Sequence, residues 1–357
     1  MNELYGSDAN IIYLNLEDYT FCTMRTAGQL NSYLQSQFHE RKSNFVFIDE
    51  IQHVEGFEDV LRSLLLKGNV DIYITGSNAK MLSTELATKL TGRYVEVKVH
   101  PLSYSEFLEF HRLDNTQQNL EKYCRFGGMP FLSNLTMAEN VVNDYLKSVY
   151  STILFHDIAE RYNIRNALFL ENLVRFFADN IGSIFSAKRI SDYLKSIHST
   201  VSVNQIQTYA SYLCNAFLIQ KVERYDILGK RVFDIGDKYY FEDLGIRNAI
   251  VGYRPMDRGK ILENMVYNHL RYKGYSVLVG NFDGSEIDFV AEKDNERLYI
   301  QAALVIENEK TIQREFGNLL EINDNYPKYV VTWDGFEGNT YHGISEMSLR
   351  RFLTEIQ

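Results

Sequence analysis

The chain has 357 residues, 45% hydrophobic and 24% charged, enough for two or three domains that each bury a core. Its net charge of −10 excludes a broad, non-specific hold on nucleic acid and leaves room only for a local basic face. Cys22, Cys124 and Cys214 show no metal or disulfide spacing, MNELYGSDAN does not read as a signal peptide, and no apolar run reaches the roughly 20 residues that span a bilayer, so a reducing cytoplasm and no membrane partner are expected.

Ile11 to Leu16, IIYLNL, reads as a buried strand followed by two acids. Ala27 to Glu40 carries Leu30, Tyr33, Leu34 and Phe38 at helical spacing. Phe45 to Gln52, FVFIDEIQ, is a second buried strand running into Asp49 and Glu50. A helix over Phe57, Val60, Leu61, Leu64 and Leu65 follows, then a third strand, Val70 to Thr75. Strand, helix, strand, helix, strand is the grammar of a parallel sheet with right-handed crossovers, which binds ligands at the carboxyl ends of its strands. Adjacent acids at that rim suit one holding the Mg²⁺ of a nucleoside triphosphate and the other positioning the attacking water; solvated acids at a strand end are the plainer alternative. Thr75, Ser77 and Asn78 leave the third strand beside them, either as groups that sense a γ-phosphate or as an ordinary helix cap. Arg93, just past Gly92, is either a phosphate-reaching arginine, in its own or a neighbouring subunit, or a surface one.

FVFIDEIQ, ITGSN, LATKLTGRY, HPLSYSEF and FGGMPFL occur in one order. Together they resemble the bacterial and archaeal AAA+-type ATPases that carry a carboxy-terminal nuclease-like domain, over essentially the whole chain. The resemblance implies a P-loop NTPase (AAA+-like) parallel sheet over residues 1–99, a helical lid over 100–170 and bound ATP with Mg²⁺. It makes Asp49 and Glu50 the Walker B pair, Ser77 or Asn78 the sensor, and Arg93 an arginine finger or sensor. Such a family opens with a strand and a GxxxxGK[ST] loop whose N–H groups and lysine hold the phosphates. No such loop occurs here: Gly229-Lys230 and Gly259-Lys260 lack both the preceding glycine and the following Ser or Thr. IIYLNLED matches the second family strand, so the sheet is expected to be truncated by about 30 to 45 residues, one βα unit, and to hold ATP poorly. A cut sequence, a misplaced gene start or true loss would each account for it.

In HPLSYSEF, Ser103 with Glu106 three residues later is a helix-capping pair, and Phe126 to Pro130, FGGMP, is a tight bend. Tyr145 to Asn172 reads as helix, with Asp157, Arg161 and Arg165 on nearly one face, for a subunit interface, an ATP site or solvent. Three helices, at Leu173–Phe185, Ala187–Ile197 and Val203–Leu218, followed by a hairpin, outline a winged helix-turn-helix over residues 171–256. On a DNA reading Asn204, Gln205, Gln207 and Thr208 face base edges, and Lys230 and Arg231 meet phosphate; a protein-packing role is the alternative.

Residues 257–357 read as a helix, three strands, a helix and a strand, which resembles the PD-(D/E)xK (restriction-endonuclease-like) α/β fold. Glu263 and Asp288 fit two of its acids. Gln301 stands where the third acid belongs and Ala303 where the lysine belongs. A neutral amide is a poor Mg²⁺ ligand, so the site is read as degenerate and nuclease activity is not expected. The leading reading is an ATP-dependent switch, crippled in this truncated chain. The alternative is a non-catalytic module binding DNA or a partner protein, and the third is a metal-dependent nuclease. Oligomers are compatible with any of them.

Overall fold

The computed structural model describes residues 9–77, 89–90, 92–196, 201–232, 236–306, 309–335 and 340–356. The chain divides into two units, residues 1–98 and 99–357.

In the first unit the alternation of strand and helix forms three strands, β1 (Ala9–Asn15), β2 (Ser43–Asp49) and β3 (Val70–Ile74), in the order β1-β2-β3. Both pairings are parallel, with Asn15 opposite Asp49 and Ile48 opposite Ile74. Helices α1 (Ala27–Gln37) and α2 (Phe57–Leu64) make the crossovers. Thr26 caps α1 reciprocally with Gln29. Leu30 and Leu34 of α1, and Val60, Leu61 and Leu64 of α2, pack on Ile12, Leu14, Val46 and Ile48. Alternate strand residues therefore make one apolar face, and each fully buried leucine or isoleucine there contributes roughly 1.5–3 kcal/mol.

The second unit begins where Ser103 and Glu106 form the expected reciprocal cap of α3 (Tyr104–His111). After α4 (Gln117–Phe126) comes the FGG bend. Gly127 has φ +75°, and the Gly128 N–H donates to Asp243 at 2.7 Å while its carbonyl accepts from Leu102 at 2.7 Å. A Cβ on Gly128 would lie 2.2 Å from the Leu102 carbonyl oxygen, so only glycine fits.

The helix expected over Tyr145–Asn172 is interrupted. Helix α5 (Glu139–Ser151) runs on as a π-helical stretch, Thr152–Glu160, and Asn163 then turns left-handed. Asn166 caps a new helix, α6 (Ala167–Asp179), by accepting from the Phe169 N–H at 3.0 Å. Asparagine tolerates both the left-handed turn and the cap, which breaks the face proposed for Asp157, Arg161 and Arg165.

Helices α7 (Ala187–Ser196) and α8 (Val203–Asn215) follow. The next segment splits. β4 (Ile219–Val222) pairs antiparallel with β7 (Lys238–Phe241) in a two-stranded sheet. β5 (Arg224–Asp226) instead pairs with β6 (Arg231–Val232) and, in parallel, with β8 (Ser276–Phe282). The hairpin thus enters the carboxy-terminal sheet rather than standing apart from it.

Helices α9 (Leu244–Val251) and α10 (Arg258–Tyr272) precede that sheet. Its remaining elements are β9 (Ser285–Lys293), β10 (Glu296–Ala303), α11 (Glu309–Glu321), β11 (Lys328–Thr332), β12 (Thr340–Tyr341), β13 (Ile344–Ser348) and α12 (Leu349–Glu355). The eight strands run in the order β12-β13-β11-β10-β9-β8-β5-β6. Arg247, fully buried on α9, donates to the Ala178 carbonyl at 2.8 Å and to Asp257 at 2.6 Å, tying α6 and α9 to the start of α10.

Candidate functional site

Asp49 is the last residue of β2, and Thr75 follows the last residue of β3, so the parallel register sets them side by side. The Thr75 hydroxyl donates to Asp49 Oδ1, and the Thr75 Oγ1 in turn accepts the Glu50 N–H at 3.3 Å. Two backbone bonds lock the strand ends: Thr75 N–H to the Ile48 carbonyl at 2.9 Å, and Ile51 N–H to the Thr75 carbonyl at 3.2 Å. Glu50 has φ +55° and ψ +49°, a left-handed conformation that turns the chain sharply after Asp49. Such a conformation costs a non-glycine residue about 1–2 kcal/mol.

Gln52 completes the cluster. Its amide nitrogen donates to Glu50 Oε2 and to Ser77 Oγ, the latter at 3.3 Å. Its Oε1 is buried and has no hydrogen-bond partner among the described residues. An orphaned acceptor of this kind beside a carboxylate fits a hydrated cation or a bound water. Asp49, Thr75, Glu50 and Gln52 thus gather carboxylate, hydroxyl and amide oxygens at the carboxyl ends of β2 and β3.

Of the residues singled out in the sequence, Asp49, Glu50 and Ser77 meet here, and Asn78 lies outside the described residues. Arg93 does not join them. It is exposed and lines a surface hollow with Asp59, Arg62 and Ser63 of α2, Leu65 and Leu66 just beyond its last turn, and Lys89 and Leu90. That turn feeds the amino end of β3, where Val70 pairs with Asn44. Gln52 was not singled out. Its position two residues past the acids, within the same FVFIDEIQ run, was the only signal.

In the second unit, Glu263 on α10 and Asp288 on β9 do come together, with two partners that were not expected. Lys238, on β7 and 3% exposed, places its ammonium 2.9 Å from Glu263 Oε1, 2.7 Å from Glu286 Oε1 and 4.0 Å from Asp288 Oδ1. The Tyr240 hydroxyl donates to the same Glu263 oxygen at 2.6 Å. Gln301 Oε1 accepts the Asp288 N–H at 3.2 Å, and the Ala302 N–H donates to Asp288 Oδ2 at 2.8 Å. Burial, and then the charge of Glu263, push the Asp288 carboxyl well above its ordinary range, although Lys238 and the Ala302 N–H pull the other way. Burial lowers the Lys238 ammonium, but Glu263, Asp288 and Glu286 outweigh it and hold it above its ordinary value. Among the described residues no group of three or more His, Cys, Asp or Glu is arranged to hold a metal ion.

The candidate nucleic-acid contacts are at the surface, with qualifications. Asn204, Gln207 and Thr208 are exposed on α8. Gln205 is half-buried and its amide donates to the Tyr209 hydroxyl at 3.3 Å. Lys230 is exposed at the hairpin turn with φ +50°, and Arg231 lies 3.5 Å from Asp226. The lysines around them are paired as well: Lys188 and Lys195 with Asp192, Lys221 with Glu223 and Asp237.

Residues 1–108 match the family model of an AAA domain, and residues 117–257 match that of a domain of unknown function, DUF8612. An uncharacterized protein of Haemophilus influenzae is 38% identical over 341 residues, covering 94% of this chain and 84% of that protein. An uncharacterized protein of Methanocaldococcus jannaschii is 29% identical over 321 residues, covering 86% and 71% respectively. Among solved structures, a Walker-type ATPase of Pyrococcus abyssi aligns with a TM-score of 0.47 at 17% identity, over 67% of this chain and 83% of that one. No described helix is long and apolar enough to cross a membrane.

Proposed function

Because the chain belongs to the family of the Haemophilus influenzae protein and its residues 1–108 are an AAA-type ATPase-like domain, we propose that it is an ATP-dependent switch. The observation that carries this reading is the Asp49–Thr75–Glu50 constellation at the carboxyl ends of β2 and β3. Asp49 stands on the metal side, with Thr75 fixing one of its oxygens and leaving the other for Mg²⁺ or its water. Glu50 accepts the proton of the attacking water. Gln52 and Ser77 hold the Glu50 carboxylate in a defined orientation and sense the group that replaces them. Mg²⁺, when bound, neutralises charge that develops on the phosphate oxygens. Arg93 is assigned to phosphate, in its own or a neighbouring subunit. Asn78 remains a proposed sensor residue.

The test is binding and turnover of ATP and a non-hydrolysable analogue, by this chain and by a version extended with the coding sequence upstream of Met1. Glu50→Gln should lower any turnover by roughly 10²–10⁴-fold, the contribution of a positioned base, while leaving analogue binding intact. No nucleotide binding by the extended protein would remove the switch reading.

A non-catalytic binding module is the second reading, supported by the amide and alanine at Gln301 and Ala303. Its DNA form treats α7, α8 and the hairpin as a winged helix-turn-helix with Asn204, Gln207 and Thr208 at its face. The lysines already paired with acids weigh against it, and no band shift with random duplex at low salt would dispose of it. A metal-dependent nuclease has the least support, since an ammonium already stands among the acids of that module.

A further inference from the structure

Val95, Val97 and Val99 are 89%, 76% and 90% exposed, among the most exposed apolar side chains of the described residues. Between them stand Glu96 and Lys98, whose charged ends lie 3.9 Å apart, on one side of the chain as alternate residues of a strand do. No residue from 94 to 99 has a positive φ, and among the described residues no backbone hydrogen bond reaches them. The ends of the run are held. Tyr94 packs against the apolar core of the first unit, and His100 is bonded to Glu242. Valine and tyrosine favour strands, and strict alternation of apolar with charged residues is the pattern of a strand with one face covered. The run has the composition and the two faces of a strand, and among the described residues no strand is paired with it.

An extended partner satisfies such a run through its backbone, and the side chains decide which partner. Here the sequence is complementary to itself. In an antiparallel pair of two copies centred on Val97, Glu96 of each copy faces Lys98 of the other, Val95 faces Val99, and Tyr94 faces His100. The valines of both copies then share one face, and the charges share the other. Moving the centre to Glu96 or to Lys98 sets like charges opposite each other, and so does a parallel pair in register. A slip of one residue sets valine against charge. Only the centre at Val97 gives both charges their opposites. We propose that residues 94–99 are an interaction surface for a second copy of this chain, joined as a two-stranded antiparallel ribbon about a two-fold axis at Val97. So short a ribbon buries less than the roughly 1,200–2,000 Å² of a standard interface, so the association is weak, reversible and sensitive to salt. The inference is independent of what the first unit does with nucleotide.

The experiment is sedimentation of the full chain at low salt over a concentration series. Wild type should pass from monomer to dimer as concentration rises. Glu96→Lys sets lysine opposite lysine twice, and Lys98→Glu sets glutamate opposite glutamate twice. Each alone should weaken association about tenfold or more. Both side chains are exposed, so neither change threatens the fold. The double variant, Glu96→Lys with Lys98→Glu, exchanges the signs and should regain the wild-type dimer. An equimolar mixture of the two single variants should also associate, because each lysine of one copy then meets a glutamate of the other. A wild type that stays monomeric into the millimolar range overturns the proposal. So does a dimer that neither single variant weakens, or a double variant or mixture that fails to recover. The version extended upstream of Met1 gives one more arm. If it is monomeric where this chain is dimeric, the strand belongs to a segment of the same polypeptide and the second copy is the wrong partner.

Discussion

Two sets of carboxylates gather around β-strands, one at β2 and one between β9 and α10, and their surroundings are opposite. Asp49 and Glu50 sit half-buried at the open end of β2, with a hydroxyl, a backbone N–H and a glutamine amide for company. Glu263, Glu286 and Asp288 sit around a buried ammonium. The first set leaves carboxylate oxygens and an orphaned Gln52 acceptor for something that comes and goes. The second has its cation tied to the backbone. Acids alone do not make a metal site; whether the cation is exchangeable decides between chemistry and construction. The difference should appear as stability on one side and ligand response on the other.

The largest expected effect is on stability in the second unit. Lys238→Met removes a buried cation and strands its acids, a change that costs about 3–5 kcal/mol. Trp333, the one tryptophan, is buried in the same unit and reports its unfolding in denaturant. Asp49→Asn removes a charge from a half-buried strand end that keeps its hydroxyl partner, and should cost about 1 kcal/mol or less. Comparable losses in the two variants would erase the distinction drawn between the sites.

The next effect concerns pH. Burial holds the Asp243 carboxyl up at about 6 from an ordinary 3.8, against donors at Gly128, Ile246 and Gly245. A raised folded value means the proton favours the folded form, so this contribution is complete below about pH 4 and is lost as pH rises through 6. The shift of about 2 units is worth roughly 3 kcal/mol. His269 acts the other way: burial lowers it to about 4 from 6.5, so stability from the neutral ring is present above pH 6.5 and lost as pH falls towards 4. The two oppose each other across the same window, and the wild-type profile from pH 4 to 6.5 should be shallow. Asp243→Asn should unmask the histidine, giving a stability that rises with pH by roughly 2–3 kcal/mol over that range. An unchanged profile in the variant would show that Asp243 is not the opposing group.

The two sites were unequally legible in the sequence. The first unit was written in local terms: buried runs of β length, helical spacing between them, and small polar residues after the third strand. Parallel pairing then follows from connectivity, and the register brings Thr75 to Asp49 without further instruction. Arg93 was picked out by motif order, which says nothing about which end of a crossover a residue occupies. In the second unit Glu263, Asp288 and Gln301 were visible because their spacing follows one helix and consecutive strands. Lys238 was not, since it lies in the hairpin region, outside the segment that carries the acids. Its arrival depends on IQKVERYD splitting between two sheets, with Val222 paired to Lys238 and Tyr225 to Gly280. No periodicity in eight residues announces such a split.

The smallest effect returns to β2 and asks whether its open site is held at a cost. Glu50 is left-handed, and its Cβ is the source of the strain. Glu50→Gly removes the Cβ, whereas Glu50→Ala removes the carboxylate and keeps it. Both variants lose the bond from Gln52 equally, so the difference between them isolates the backbone term. Glycine should be the more stable by about 1 kcal/mol, after its larger unfolded-state entropy is subtracted. That corresponds to roughly fivefold slower hydrogen exchange at Val46 and Ile48, whose amides lie in the strand between β1 and β3. If alanine matches or exceeds glycine, the turn after Asp49 is not strained. If glycine wins, the chain keeps a glutamate where a glycine is more comfortable, which is the pattern expected of a residue retained for what its carboxylate does.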